Sequence, residues 1–330
     1  MPVENLPVPT TLVRWSQRLL KGLALSILAS LNTQAANLIV GDQSYSARTV
    51  MEAAGVLEDL PYELEWKQFT AGSPVAEALN VGSLDIGLLG DSPALFMGAL
   101  GAPIKVIGVS RQNLDGVAIV VRKDSPINTV ADLAGKKVAI WKGSFSQQLM
   151  LTALDKAGVA RDAVDYRYLS ALDSSHALDG GSVDAIATWE PYVTQQERQG
   201  ARIIATAEGL IPAQSFIVAN DLAIKGKRAQ ISDFLQRLQA ARAWSVSDPQ
   251  HNERYANAWF ALTKADAEVA RRWFSRAQVV VVPITAQVVA GAQQTIDFFN
   301  NAGLTKRYPA ASVFDESFSA ALADQAQAVR

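Results

Sequence analysis

Cysteine is missing from all 330 residues of this sequence, and histidine occurs only twice. Without a thiol the chain can form no disulfide bond, no thiolate nucleophile and no lipid-bearing anchor cysteine. The two histidines, His176 and His251, fall on predicted helices without a metal-ligating residue one turn further on, so neither indicates a metal site. The Gly-x-Ser-x-Gly elbow of serine hydrolases is also missing. We therefore predict no catalytic metal and no cofactor.

An excess of charge of either sign is missing as well, since the formal net charge is −2. A chain without a basic excess is not typical of nucleic-acid binding, so we expect no nucleic acid among its partners. With 49% hydrophobic and 19% charged residues, the composition is that of a globular protein. The length fits two domains with cores large enough to fold without disulfides, and we expect a monomer.

Long apolar runs are few, and the most distinctive one, Gly22–Leu31, lies near the N-terminus after Arg14, Arg18 and Lys21. It is too short to span a bilayer, which takes about 20 apolar residues. Small residues follow at Ala35 and Ala36, as a signal peptidase requires. We predict that residues 1–36 form a cleaved secretory signal peptide and that the mature protein is periplasmic. An amphipathic N-terminal helix or a membrane anchor is the alternative.

One sequence pattern occurs twice, first as Val81–Pro93 and again as Gly180–Pro191. Each copy reads Gly-Ser, an aliphatic residue, Asp, a short apolar run and a polar cluster closed by Pro. The glycine can end a helix, the apolar run is typical of a buried strand, and the proline can start the next helix. Two copies favour two similar lobes, each with a polar cluster at the carboxyl end of a strand. The alternative is that Gly-Ser-x-Asp is merely a common joint between helix and strand.

Strand and helix patterns alternate along the chain, which predicts an α/β fold with mostly parallel sheets covered on both faces. The predicted first lobe is discontinuous and consists of residues 38–120 and 220–330, of which the last part is mainly helical. Residues 122–215 form the predicted second lobe. Two strands, near 117–123 and 215–220, would join the lobes and act as a hinge.

Polar clusters at the ends of predicted strands are the candidate binding residues. In Gly143-Ser144-Phe145 a strand passes through Gly-Ser into a helix, which exposes backbone N–H groups and the positive end of the helix dipole to an anion. Alternatively, Ser144 only caps that helix. Neutral donors of this kind suit a permanently ionised oxyanion. The remaining candidates are Gln43, Ser44, Gly72, Ser73, Gly90, Asp91, Ser92, Trp189, Glu190 and Gln214.

The larger and the acidic candidates have two interpretations each. Trp189 can form a flat apolar wall for an organic tail or belong to the core at a lobe boundary. Glu190 and Asp91 can orient neighbouring groups or pair with Lys or Arg, and a direct ligand contact is expected only for a ligand with an amine. Trp259 and Trp273 lie on apolar helix faces, and we assign them to the core.

The pattern of motifs resembles the aliphatic sulfonate-binding proteins, which are periplasmic components of ABC importers in the nitrate, taurine and sulfonate group. The resemblance covers nearly the whole chain after the signal peptide. It implies a type II periplasmic binding protein fold, in which two α/β lobes are joined by two hinge strands. The segments that carry it are Asn80–Gly87, Lys123–Ile127, Asp132–Val138, Lys142–Ser144 and Gly181–Tyr192.

The resemblance also implies a function. A small organic sulfonate anion would be held by the helix terminus at Gly143-Ser144 and by donors near Gln43 and Gly72, with its tail toward Trp189. Hinge closure would capture it, and an inner-membrane ABC permease would receive it for sulfur acquisition. The protein would then be a binding protein and not an enzyme.

Two departures from the family pattern leave the tail specificity open. Glu190 stands where these relatives commonly have Asp before the proline, and Asp91 lies in a loop whose identity varies. Taurine, nitrate or an aromatic sulfonate are therefore alternative ligands. A sulfur-compound hydrolase or lyase is a further alternative, but the related folds that perform such chemistry depend on cysteines that this chain lacks.

Overall fold

The computed structural model describes residues 37–326, which form two β-sheets flanked by helices. The predicted signal peptide, residues 1–36, lies outside the described residues. Between residues 37 and 326, no helix combines the length and hydropathy needed to cross a membrane. In chain order the strands of this part of the chain are β1 (Leu38–Gln43), β2 (Leu64–Phe69), β3 (Ile86–Gly90), β4 (Ile104–Arg111), β5 (Val117–Val121), β6 (Lys137–Ile140), β7 (Asp165–Tyr168), β8 (Ala185–Trp189), β9 (Arg202–Thr206), β10 (Ser215–Asn220) and β11 (Val280–Val282).

Helices cover both faces of the sheets, as the alternating pattern predicts. Those after residue 220 form the mainly helical C-terminal part of the described chain. The α-helices of residues 37–326 are α1 (Ser46–Ala53), α2 (Gly72–Asn80), α3 (Asp91–Ala99), α4 (Phe145–Lys156), α5 (Ala171–Asp179), α6 (Tyr192–Arg198), α7 (Asp221–Gly226), α8 (Arg228–Ser247), α9 (Pro249–Thr263), α10 (Ala267–Ala277), α11 (Ala286–Asn301) and α12 (Ser319–Ala326).

The first sheet has six strands in the order β11-β4-β10-β3-β1-β2. β1 pairs in parallel with β2 from Leu38↔Leu64 to Gln43↔Phe69, and also with β3. β10 is antiparallel to its neighbours β3 and β4, and β11 is antiparallel to β4. Because β1, β2 and β3 run the same way, the residues that follow them meet at one edge of the sheet.

The second sheet has five strands in the order β7-β6-β8-β5-β9. β6 lies between β7 and β8 and is parallel to both, in register from Val138↔Ala185 on the β8 side. β5 is antiparallel to β8 and to β9. The parallel pair β6 and β8 therefore brings Trp141 and Trp189 to the same edge of this sheet.

Each sheet has apolar clusters on both faces, as strands buried on both sides require. On the first sheet one cluster contains Phe234 and Trp259, and the other contains Phe216 and Ile296. The second sheet has its own pair of clusters, the larger of which contains Leu149. The α/β fold is confirmed. Both sheets are mixed and not mostly parallel in their pairing, since four of the nine strand pairs within residues 37–326 are parallel and five are antiparallel.

The chain passes between the sheets in residues 112–116 and returns in residues 207–214. From the sequence, we expect these crossings in the strands near 117–123 and 215–220. In the structure β5 pairs along its whole length within the second sheet and β10 within the first. The backbone hydrogen bonds of a paired strand hold it to its sheet, so the short segments before β5 and before β10 make the crossings instead. Residues 117–121 thus belong to the second sheet.

The repeated sequence pattern has the same local structure in both sheets. Gly82 and Gly181 end helices α2 and α5 with positive φ angles of 75° and 71°. In each copy the next N–H, from Ser83 or Ser182, donates to a carbonyl five residues earlier, which is the expected glycine-ended helix terminus.

The aspartate of each copy connects the new strand to its parallel neighbour. Asp85 Oδ2 accepts from the Ile39 N–H at 2.8 Å, and Asp184 Oδ2 accepts from the Lys137 N–H at 2.9 Å. The repeat is therefore a structural joint that occurs once in each sheet, and it places the polar ends of β3 and β8 at the carboxyl edges.

Candidate functional site

A cleft between the two sheets collects the carboxyl ends of strands from both. Its cavity volume is about 170 Å³, which is below the roughly 300–1,000 Å³ of sites for drug-sized ligands. Nine of the predicted site residues line it. These are Gln43, Ser44, Gly72, Ser73, Gly90, Ser144, Phe145, Trp189 and Glu190.

Two helices begin at this cleft, and each follows a strand of a different sheet. Helix α2 begins at Gly72, and its N-cap residue, Ala71, provides no side-chain cap. Pro74 has no N–H group, so the free donors of this end are the backbone N–H groups of Gly72 and Ser73. Helix α4 begins opposite at Phe145. Both helix ends carry partial positive charge, which favours an anion in the space between them.

Ser144 takes the capping role that the sequence left as one of two alternatives. Its hydroxyl donates to the carbonyl of Trp141 at 2.8 Å and accepts from the Ser146 N–H at 3.2 Å. The only hydroxyl proton is thus used within the protein, and Ser144 orients α4 instead of donating to an anion from its side chain. Gly143 does not line the cleft. It turns the chain with φ +69°, and its N–H donates to Gln147 Oε1 at 2.7 Å.

The turn after β1 is strained and fixed in place. Ser44 and Tyr45 are consecutive non-glycine residues with φ of 52° and 58°. Two hydrogen bonds hold them, from Trp259 Nε1 to the Ser44 carbonyl at 2.7 Å and from the Tyr45 N–H to Gln68 Oε1 at 3.0 Å. Left-handed non-glycine backbone persists where the surroundings over-determine it, and such strain clusters at binding sites.

Several hydroxyl groups in the cleft are available to a ligand. The side chains of Ser44, Thr70 and Ser73 form no hydrogen bond with any part of residues 37–326, and all three line the cleft. The Gln43 amide, which the sequence analysis counted among the donors, is used differently, since Nε2 donates to the Leu88 carbonyl at 2.9 Å. Gln43 therefore fixes the first turn to β3, and the hydroxyls are the free donors.

Asp91, Ser92 and Gln214 do not line the cleft. Asp91 and Ser92 are fully buried, and Ser92 Oγ donates to Asp91 Oδ1 at 3.0 Å. Asp91 Oδ2 accepts from the Gln214 N–H at 3.4 Å and from Thr295 Oγ1 at 3.3 Å. Burial among these neutral partners raises the pKa of Asp91 to about 6. The three predicted residues thus tie β3 to the segment before β10, behind the cleft.

Arg242 is a cleft residue that the sequence analysis missed. It comes from α8, is only 5% exposed, and donates to Ser46 Oγ at 2.8 Å and to the Tyr255 hydroxyl at 3.0 Å. Its charge opposes the effect of burial on Asp42, whose pKa is raised by that burial. Nothing in the local pattern around residue 242 marks it, because Ser46 lies 196 residues earlier and Tyr255 belongs to the next helix.

The carboxylate of Asp42 occupies the N-terminus of α1. It accepts backbone N–H groups from Gln43 at 2.8 Å, from Ala47 at 3.0 Å and from Arg48 at 3.0 Å. A carboxylate that already holds three N–H donors leaves this helix end closed to a further anion. The open helix ends of the cleft are therefore those of α2 and α4.

Glu190 pairs with an arginine of the other sheet's layer. Its carboxylate accepts from the Thr194 N–H at 3.1 Å and from Thr194 Oγ1 at 2.9 Å, and it lies 3.1 Å from Arg276 Nη1. Burial raises the pKa of Glu190, and the Arg276 charge opposes that rise. Arg276, from α10, also pairs with Glu197. Of the sequence alternatives for Glu190, pairing with an arginine is the one observed.

A second ion pair joins the same two layers, between Arg198 and Asp266 at 2.9 Å. Together with the Arg276 pairs it connects α6 of the second sheet to α10 of the first.

Within the described residues 37–326, the His, Asp and Glu side chains form no group of three or more that could hold a metal ion.

Aromatic side chains form the walls of the cleft. Trp141, Phe145 and Trp189 come from the second sheet, and Trp273 comes from α10. Trp273 was assigned to the core and does pack there, at 8% exposure, but it also reaches the cleft. Gly90 leaves room for the Phe145 ring, because a Cβ at that position would lie 2.9 Å from Phe145 Cζ.

Known proteins are similar to this chain in both sequence and fold. The family model described as NMT1/THI5 like matches residues 62–252. A protein of Escherichia coli (strain K12) that is named for binding aliphatic sulfonates is 34% identical over 266 residues, which is 79% of this chain and 83% of the relative.

Two solved structures show the same architecture. The periplasmic aliphatic sulphonate binding protein SsuA from Escherichia coli matches with a TM-score of 0.77 and 31% identity, over 84% of this chain and 92% of that one. The alkanesulfonate-binding protein SsuA from Xanthomonas axonopodis pv. citri, bound to MOPS, matches with a TM-score of 0.78 and 29% identity, over 86% and 99%. The family resemblance in the sequence is confirmed: this chain belongs to the NMT1/THI5-like family, and among its members it is similar to aliphatic sulfonate-binding proteins.

Proposed function

We propose that this protein is a periplasmic substrate-binding protein that captures a small organic sulfonate and delivers it to an inner-membrane ABC permease for sulfur acquisition. The observation that carries the proposal is the pair of helix N-termini, α2 and α4, that open onto one cleft from opposite sheets. A sulfonate is permanently ionised, so backbone N–H groups and neutral hydroxyls can bind it without a protein cation. The free hydroxyls of Ser44, Thr70 and Ser73 supply further donors at the same place.

Capture requires the two sheets to close on the ligand. The segments 112–116 and 207–214 are the only crossings within residues 37–326, so a change in their backbone angles moves one sheet as a lobe against the other. A ligand that contacts both α2 and α4 binds the closed arrangement more tightly than the open one. That difference in affinity is the free energy that drives closure.

The cleft is built for binding and not for catalysis. The Ser144 hydroxyl donates to a carbonyl, so it has no general base beside it. The Asp42 and Glu190 carboxylates are occupied by backbone N–H groups, a threonine and an arginine. Nucleophilic chemistry needs a side chain paired with a base, and these contacts leave none of the three in that state. Incubation with ethanesulfonate should therefore release no sulfite.

The first test is thermal stabilisation of the protein without residues 1–36. Ethanesulfonate at a hundredfold excess over its Kd should raise the free energy of unfolding by about 2.7 kcal/mol, because only the folded protein binds it. Differential scanning calorimetry would record this as a rise in Tm of several degrees. Sulfate and glycine are the controls and should leave the Tm unchanged. A Tm that no sulfonate raises would contradict the proposed function.

A second test uses the contact between Gly90 and Phe145. The Gly90→Val variant puts a side chain where the Phe145 ring lies, so the sheets cannot approach fully. An overpacked contact costs roughly 1–3 kcal/mol, and we expect ethanesulfonate to bind about tenfold more weakly in calorimetry. Gly226→Val is the matched control, because a Cβ there meets no atom within 4 Å. Equal affinities of the two variants would show that the lobes do not close at this contact.

A further inference from the structure

We infer that the tail side of the cleft selects sulfonates whose tail is an uncharged ring, such as an arene, over short alkyl or ammonium-bearing tails. This inference rests on the proposed function and adds the ligand class. It follows from three features of the cleft: where its aromatic side chains lie, what faces them, and how its two acidic residues are occupied.

The aromatic side chains of the second sheet lie close to the proposed sulfonate position. Trp141 directly follows β6 and Trp189 ends β8, and these two strands are hydrogen-bonded neighbours in parallel register. Phe145 is the first residue of α4, whose N–H groups face the anion. All three side chains are half-buried, so each keeps an exposed part in the cleft. A tail attached to a sulfonate at α4 therefore starts beside three aromatic rings.

The opposite side of the cleft also contributes apolar surface, beside the polar residues Gln112 and Asn113. This apolar surface is formed by Trp273 and Ala277 of α10 and by Val279 just before β11. A flat ring between this wall and the tryptophans of the second sheet contacts apolar surface on both of its faces. Aromatic pairs contribute roughly 0.5–1.5 kcal/mol beyond the burial of their surface area. A two-carbon chain is too small to fill the same space.

An ammonium group finds no free carboxylate in this cleft. Asp42 and Glu190 are the only acidic residues among the side chains that line it within residues 37–326. Asp42 accepts three backbone N–H groups, and Glu190 accepts two hydrogen bonds from Thr194 and lies against Arg276. A cationic tail would lose its water shell without gaining an ionic partner, which is costly. The cleft therefore disfavours taurine.

Isothermal titration calorimetry with three ligands tests the inference. Benzenesulfonate should bind at least about tenfold more tightly than ethanesulfonate, as ring contacts on two faces predict. Taurine should bind more weakly than ethanesulfonate, since the two differ only by the ammonium group. All three carry the same sulfonate, so differences between them report on the tail side alone.

A tryptophan variant shows whether the preference arises at the proposed wall. Trp189 also packs against the core of the second sheet, so Trp141→Leu is the cleaner change. The ratio of the benzenesulfonate and ethanesulfonate affinities should fall about threefold or more in Trp141→Leu. The matched control is Trp244→Leu, because Trp244 stacks on His251 at 4.4 Å and does not line the cleft. Its affinity ratio should equal that of the wild type.

The possible outcomes separate the two proposals. If ethanesulfonate or taurine binds as tightly as benzenesulfonate, the ring selectivity is overturned while the sulfonate function stands. A preference for benzenesulfonate that Trp141→Leu leaves unchanged also overturns the assignment of this wall. If none of the three sulfonates binds, the proposed function fails and the inference fails with it.

Discussion

The Arg242→Ala variant is expected to lose about 3–5 kcal/mol of its free energy of unfolding, which is the usual cost of breaking a buried charge arrangement by removing one member. Arg242 is 5% exposed and donates to Ser46 Oγ and to the Tyr255 hydroxyl. Its loss also leaves Asp42, which is 2% exposed, without the positive charge that favours its ionised form. The strained turn after β1 immediately precedes Ser46 in the sequence. Loss of the hydrogen bond from Arg242 to Ser46 should therefore loosen this turn and lower ligand affinity together with stability.

Urea unfolding followed by circular dichroism measures this loss. The matched control is Arg272→Ala, because Arg272 has a side chain that is 55% exposed and pairs with Glu268 one turn away. An exposed pair of this kind is worth roughly 0–1 kcal/mol. Equal urea midpoints for Arg242→Ala and Arg272→Ala would show that the buried arrangement is not stabilising.

The free energy of unfolding of the wild-type protein should depend on pH through the Asp91 carboxyl group. The Asp91→Asn variant should lose this dependence. The pKa of Asp91 is about 6 in the folded protein, and the ordinary pKa of an aspartate side chain is 3.8. The folded state therefore binds the proton more tightly than the unfolded state does. As the pH falls from about 6 to about 4, the wild type gains stability, by about 3 kcal/mol for a difference of two pKa units. Above pH 6 the buried carboxylate is ionised in the folded state, and this gain is absent.

The measurement is the difference in free energy of unfolding between wild type and Asp91→Asn, taken at several pH values from 4 to 8. It should be constant above pH 6 and shift in favour of the wild type below it. Asp132→Asn provides a control of opposite sign, because backbone N–H groups of Asn128 and Thr129 lower the pKa of Asp132, so that carboxylate loses its stabilising effect as the pH falls. A constant difference over the whole range would mean that Asp91 titrates normally.

Local features of this fold could be predicted from the sequence because their causes are local. Gly82 and Gly181 end helices in the left-handed conformation, and Asp85 and Asp184 accept from the neighbouring strand, as the repeated pattern indicates. The order of strands and helices follows from periodicity in the same way. Polar residues at the strand ends of both sheets come together in the structure, and nine of the predicted site residues line one cleft.

The sequence could not predict which of these residues reach the cleft and which are buried behind it. That outcome depends on contacts with residues from distant parts of the chain. The sequence identifies Asp91 as a polar residue after a strand, but its burial is decided by Gln214 and Thr295, which lie 123 and 204 residues later. Arg242 and Trp273 come from helices whose pattern defines only an apolar face. Which of their other side chains reach the cleft is set by how those helices pack on the first sheet.

If the protein delivers its ligand to a permease as proposed, the pairing of Glu190 with Arg276 also affects which of the bound ligands are transported. Glu190 lines the cleft from the second sheet and Arg276 belongs to α10 of the first sheet's layer, so this contact holds the two layers together. A cationic tail that drew the carboxylate toward itself would take it from Arg276 and shift the population toward open molecules. A neutral tail leaves the pair intact. Selectivity then has two stages, affinity in the cleft and the fraction of loaded molecules that remain closed, and a permease that accepts only closed molecules would reject a ligand that merely occupies the site.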